Sequence, residues 1–106
     1  MEKETVKLSE LTEPLELGRY DASPNCHAEV AFFLLEDGEY RARIDTRHGP
    51  LGDDIIHFDA VTVGEAIAEA TGYVRLLDSN DLSRALRVAA NEAQKWARRH
   101  EVVDRC

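Results

Sequence analysis

The sequence predicts an α+β domain in which an antiparallel sheet of three to four strands packs against two C-terminal helices. Three observations predict it. Polar and apolar residues alternate from Glu39 to Thr46; a Thr-x-x-Glu capping pattern opens an apolar stripe of helical spacing at Thr62; and a second, sharply two-sided helical pattern fills the last quarter of the chain. With 106 residues, 43% hydrophobic and 32% charged, the chain has the size of one folded domain, 1–106, and lies outside the low-hydrophobicity signature of disorder.

Residues 1–27 form an N-terminal segment in which Pro14, Gly18 and Pro24 punctuate Leu8, Leu11, Leu15 and Leu17, the pattern of a short helical turn or an edge strand. Residues 28–60 read as a β-hairpin plus a third strand. Ala28 to Glu36 is apolar on both alternating faces, and Asp37-Gly38 after it is a two-residue hairpin signal. In the next strand Tyr40, Ala42 and Ile44 share one face and Glu39, Arg41, Arg43 and Asp45 the other. A two-residue turn sets Leu35 opposite Tyr40, Phe33 opposite Ala42 and Ala31 opposite Ile44, and this apolar face is assigned to the core. The same register leaves Val30, Phe32 and Leu34 on the other face, a patch to be covered by the N-terminal leucines, by a second copy in a homodimer or by a foreign partner. Arg47 to Asp53 reads as a loop, and Ile55 to Asp59 as the third strand with Ile56 and Phe58 on one face.

The first helix is expected over 62–77. Val63, Ala66, Ile67, Ala70, Val74 and Leu77 make its stripe, and Gly72 costs it about 1 kcal/mol relative to Ala. The second is expected over 81–101, with Leu82, Ala85, Leu86, Ala89, Ala93, Trp96 and Ala97 on one face and Arg84, Arg87, Asn91, Lys95 and Arg98 on the opposite one. Ile67, Val74, Leu86 and Trp96 are the helices' expected contributions to the core.

No catalytic constellation emerges from the residue types. Cys26 and Cys106 do not make a disulfide framework, and His27, His48, His57 and His100 show none of the spacings that gather metal ligands. The glycines fall singly or in turns rather than in a phosphate cradle, and no serine sits in a nucleophile elbow. The expectation is a protein without metal or cofactor and without enzymatic activity. An enzyme would need a pocket that gathers His48 or His57 with the nearby aspartates. The start lacks the basic and apolar regions of a secretory signal, and no apolar run is long enough to span a membrane, so a soluble cytoplasmic protein is expected.

Charge is the informative property. Lys and Arg number 13 against 21 Asp and Glu, for a net charge of -8, which disfavours nucleic-acid binding by the surface as a whole. The imbalance lies in residues 1–80, whereas 81–106 carries a small positive excess. Two candidate surfaces follow. Glu36, Asp37 and Glu39 at the hairpin tip, with Asp45, Asp53, Asp54 and Asp59 on loop and strand ends, suit a basic groove of a partner protein. Arg84, Arg87, Lys95 and Arg98 form a basic stripe suited to phosphate. The first surface implies a small acidic inhibitor that docks onto a nucleic-acid-binding protein or nuclease complex, as an antitoxin, immunity protein or phage anti-defence factor does. The alternative is a nucleic-acid-binding regulator that uses the basic stripe and dimerises through the Phe32 face.

Residues 28–77 also carry a resemblance. Gly38-Glu-Tyr40-Arg-Ala42-Arg-Ile44, a short strand, and then Thr62-Val-Gly-Glu-Ala-Ile-Ala-Glu-Ala70 resemble HicB-type antitoxins in the order strand, hairpin, strand, helix. The resemblance implies a partial ribonuclease-like fold that binds and silences a small toxin, in a family often extended by a DNA-binding tail. It implies a protein that works by docking.

Overall fold

The computed structural model describes residues 3–23, 26–48, 53–60, 62–77 and 80–103. A short strand β1 (Glu4–Lys7) leads through one 3-10 turn (Leu8–Glu10) into β2 (Leu15–Ser23), β3 (Cys26–Leu34), β4 (Tyr40–His48) and β5 (Asp53–Asp59). Helix α1 (Val63–Tyr73), a second 3-10 turn (Val74–Leu76), helix α2 (Asn80–Arg99) and strand β6 (His100–Val103) follow among the described residues. Strands β2-β3-β4-β5 form an antiparallel meander, and β1 and β6 form a separate parallel pair. The fold is α+β, with both helices C-terminal to the sheet. Three-quarters of the meander follows from residues that alternate or run apolar; β2 and the β1–β6 pair do not, and the sequence reading leaves the latter out.

The hairpin register differs by one residue from the expected one. Leu34 stands opposite Tyr40, Phe32 opposite Ala42 and Val30 opposite Ile44. The cause is the loop, which has three residues rather than two. The Leu35 N–H donates to the Glu39 carbonyl (2.7 Å), the Gly38 N–H donates to the Leu35 carbonyl (3.0 Å), and Gly38 adopts a left-handed conformation, φ 87°. A slip of one residue exchanges the two faces of β3. Val30 and Phe32, expected on an open dimer or partner face with Leu34, are therefore 0% exposed in the core, and Leu34 is half-buried. Phe32 stacks on Tyr40 at 5.1 Å between ring centroids.

Helix α2 covers this face, lying mainly on β2 and β3, with α1 beside it. Its contact side is small: Ala85, Ala89, Ala90 and Ala93 are buried around Leu86. This lets the backbones of α2 and β2 approach so closely that a Cβ at Gly18 would meet the Ala89 carbonyl oxygen. Of the expected helix contributions, Ile67 and Leu86 are buried, while Val74 and Trp96 pack half-buried at the margin. The N-terminal segment supplies Leu8 and Leu17 to the same core, and β2 is an edge strand of the sheet.

The first helix starts as expected, with the Thr62 hydroxyl accepting from the Glu65 N–H at 3.1 Å. It ends at Tyr73, short of 77, because the chain tightens into the 3-10 turn. The second helix ends at Arg99 rather than 101, since His100 and Glu101 pair with Glu4 and Thr5. Arg47, His48 and Asp53, expected in a loop, extend β4 and β5, and β5 also takes in Asp54; the centre of that loop, 49–52, and Cys106 lie outside the described residues.

Candidate functional site

The two faces of the molecule treat their charges differently. On the face of the sheet away from the helices, the arginines are matched to carboxylates. Arg19 Nε donates to Asp21 at 2.8 Å and its Nη1 lies 3.7 Å from Glu29; Arg43 reaches the same Glu29 at 3.3 Å; Arg41 Nε donates to Asp59 at 3.1 Å. His27 Nδ1 donates to the Asp21 carboxylate as well. The hydrogen bond from His27, then that from Arg19, holds the Asp21 carboxyl below its ordinary range, and the bond to Asp21 holds Arg19 above its own. The register explains the matching, because Arg19 and Glu29, Asp21 and His27, and Arg41 and Asp59 are cross-strand partners.

The acidic residues singled out from the sequence do not form one patch. Glu36, Asp37 and Glu39 are exposed at the hairpin tip, where an Asp37 carboxylate oxygen accepts from the Glu39 N–H at 3.0 Å and so shapes the turn. Asp59 lies towards that end but is paired to Arg41. Asp53 and Asp54 open β5 at its other end, opposite Arg47 and Thr46. Six residue steps along the strand separate Asp53 from Asp59, about 20 Å. Asp45 stands mid-sheet, half-buried, between Glu29 and Ile55. The side chains of Asp53, Asp54, His48 and His57 lie outside the described residues, so the pocket an enzyme would need falls there as well.

The basic stripe, by contrast, is continuous. Arg84, Arg87, Lys95 and Arg98 are all exposed on α2, with Asn91 between them. Arg84 to Arg98 spans about 21 Å of helix. Lys95 is 3.3 Å from Glu92, and Arg98 Nε donates to the Gln94 carbonyl at 3.5 Å. Arg84, Arg87, Arg98 and Arg99 have no ion pair among the described residues. Arg75, which the sequence reading passed over, joins them. It sits in the 3-10 turn after α1, has no ion pair among the described residues, and lines with Arg87 and Asn91 a groove of about 280 Å³ floored by Val74 and Ala90. In the sequence Arg75 is an isolated cation, the only Lys or Arg between Arg47 and Arg84, and only the fold brings it beside α2.

A second cavity, about 220 Å³, lies where the chain ends meet, lined by Leu8, Val63, Trp96, His100 and Val102 among others. Here His100 stacks on Trp96, donates from Nδ1 to the Trp96 carbonyl at 2.7 Å, and approaches Glu4 with Nε2 at 3.2 Å. These contacts fasten β1 to the end of α2. Cys26 points its thiol at the Asp81 carbonyl, 3.8 Å away. Among the described residues no three His, Cys, Asp or Glu side chains are placed to hold a metal ion, and no helix is long and apolar enough to cross a membrane.

No protein-family model, characterised protein or solved structure matches this chain. The functional reading therefore rests on the distribution of charge and shape.

Proposed function

We propose that this protein is a small docking protein that engages phosphate-bearing partners, nucleic acid or a nucleoprotein, through the exposed row of arginines on α2. One observation carries the reading. In a chain with 21 acidic side chains, Arg19, Arg41 and Arg43 on the sheet face are ion-paired, whereas Arg75, Arg84, Arg87, Arg98 and Arg99 have no ion pair among the described residues. Guanidinium groups left unmatched amid surplus carboxylates form a surface that complements an outside anion. The helix is 20 residues long, an ordered support for such a row. Dimerisation through Phe32 does not enter this reading, because that side chain belongs to the core.

The test is binding of a labelled 20-base-pair duplex and of a single-stranded RNA, followed by fluorescence anisotropy against salt. Four phosphate contacts give a log–log slope of roughly -3.6, about a 100-fold loss of affinity as salt rises fourfold. Arg84→Gln with Arg98→Gln is expected to flatten the slope by about 2. Absence of binding at low salt, or affinity independent of salt, overturns the reading.

A second reading is supported by the hairpin tip, where Glu36, Asp37 and Glu39 stand exposed at one end of the sheet. They suit a basic groove on a nucleic-acid-handling protein, and the resemblance of 28–77 to HicB-type antitoxins supports the same mode, inhibition by docking. Light scattering with size-exclusion chromatography, alone and with host extract, tests it: a co-eluting protein lost on charge reversal of those three residues supports it, and retention of the complex by the variant refutes it.

A further inference from the structure

We propose that the groove between α1 and α2 is a seat for one phosphate group, held between Arg75 and Arg87. The inference deepens the docking reading and shares its premise that phosphate meets the helix side, but it fixes one anion at one place. Four features of the groove support it. Its two arginines come from different elements, Arg75 from the 3-10 turn and Arg87 from α2, and both are exposed and without an ion pair among the described residues. Two planar guanidinium groups on either side of a groove can each offer paired N–H donors to a tetrahedral anion. Asn91, one helical turn beyond Arg87, adds an amide donor on the same wall.

The floor adds to this arrangement. Ala90 is 3% exposed and Val74 is half-buried, so the anion would rest against apolar surface, which strengthens its attraction to the arginines relative to open solvent. The walls are held in place from within. The Ser83 hydroxyl lies 3.5 Å from the Val74 carbonyl and 3.4 Å from the Leu77 carbonyl, tying the turn that carries Arg75 to α2. The Thr71 hydroxyl donates to the Ile67 carbonyl at 2.8 Å, so Thr71 shapes the wall while the nitrogen donors supply the binding. At about 280 Å³ the groove has room for roughly nine water molecules, enough for a phosphate with part of its ester. The shared chemistry is a phosphate; its source is either a nucleic-acid backbone or a small phosphomonoester.

The test uses inorganic phosphate as probe, titrated into the full-length, isotope-labelled protein at constant ionic strength and followed by amide chemical shifts. Saturable shifts are expected at residues 71–76 and 87–91. Arg75→Gln and Arg87→Gln should each weaken phosphate binding about tenfold, the loss of one charge-assisted pair, while Lys7→Gln, exposed on β1 and outside the groove lining, leaves it unchanged. Circular dichroism of each variant establishes that the fold is intact. Phosphate binding without duplex or RNA binding keeps the seat, assigns it to a small phosphomonoester and removes the docking reading. Duplex or RNA binding with linear, unsaturating phosphate shifts, or with phosphate affinity unaltered in Arg75→Gln, overturns the seat and leaves the docking reading standing.

Discussion

Replacing Gly18 by Ala tests the closest approach in the fold. A Cβ added there lies 1.9 Å from the Ala89 carbonyl oxygen and 2.7 Å from the Ala93 nitrogen, and both are backbone atoms that no rotamer change can move. Ordinary contact begins near 3.4 Å, so α2 must withdraw from β2 by roughly 1.5 Å. A gap of about 1 Å already forfeits up to half of a van der Waals contact. The loss falls on Ala85, Leu86, Ala89 and Ala93, which are 0% exposed along this line. The cost is at the upper end of overpacking, about 3 kcal/mol, out of a stability of roughly 5–15 kcal/mol for a domain of this size. In urea, with a slope of about 1.5 kcal/mol per molar, the midpoint should fall by about 2 M. Gly72→Ala is the matched control, since nothing lies within 4 Å of its Cβ, and it should raise stability by up to about 1 kcal/mol. A Gly18→Ala protein within about 0.5 kcal/mol of the parent would refute backbone contact between β2 and α2.

Two further predictions concern single polar groups. Thr62→Ala removes the hydroxyl that accepts from the Glu65 N–H and should cost about 1 kcal/mol in chemical denaturation, while Thr62→Ser should retain most of it. Asp21 is held below its ordinary value of 3.8 by His27 and Arg19, so its contribution is full above that value and is lost as pH falls through the lower folded one. Denaturation curves from about pH 6 downward should show the parent losing more stability in acid than Asp21→Asn. Equal acid slopes would mean that the Asp21 contacts do not persist in solution.

Much of the fold was legible because periodicity reports burial. The Thr62 cap, the stripe of α1 and the two-sidedness of α2 are local properties, and each is found where the pattern puts it. The register of the β3–β4 hairpin was not legible, because Ala28 to Glu36 is apolar on both faces and offers no alternation to choose between registers. One additional loop residue decided it, and with it whether Phe32 lies on a free face or in the core. The β1–β6 pair was out of reach for another reason: its strands are four residues each, at opposite ends of the chain, and nothing local links Glu4 to His100. Gly18 read as punctuation, although the alanines at 85, 89 and 93 are the complement of a close backbone approach. For the candidate site, the arginines of α2 were visible as a stripe, while Arg75 required the fold to bring a turn beside the helix.

The net charge of -8 opposes a phosphate-binding helix, but distance resolves the conflict. Even along its shortest axis the molecule is 23 Å across, and the Debye length at physiological salt is about 8 Å. Carboxylates on the far face of the sheet are thus screened from an anion docked on α2, and Asp21, Glu29 and Asp59 are already matched by Arg19, Arg43 and Arg41. What a phosphate on α2 meets is local: the exposed guanidinium groups of Arg75, Arg84, Arg87 and Arg98, with Glu92 of the same helix matched by Lys95 at 3.3 Å and Asp81 confined to the first turn. The acidic surplus acts chiefly on approach, and only where ionic strength is low enough for its field to reach around the molecule.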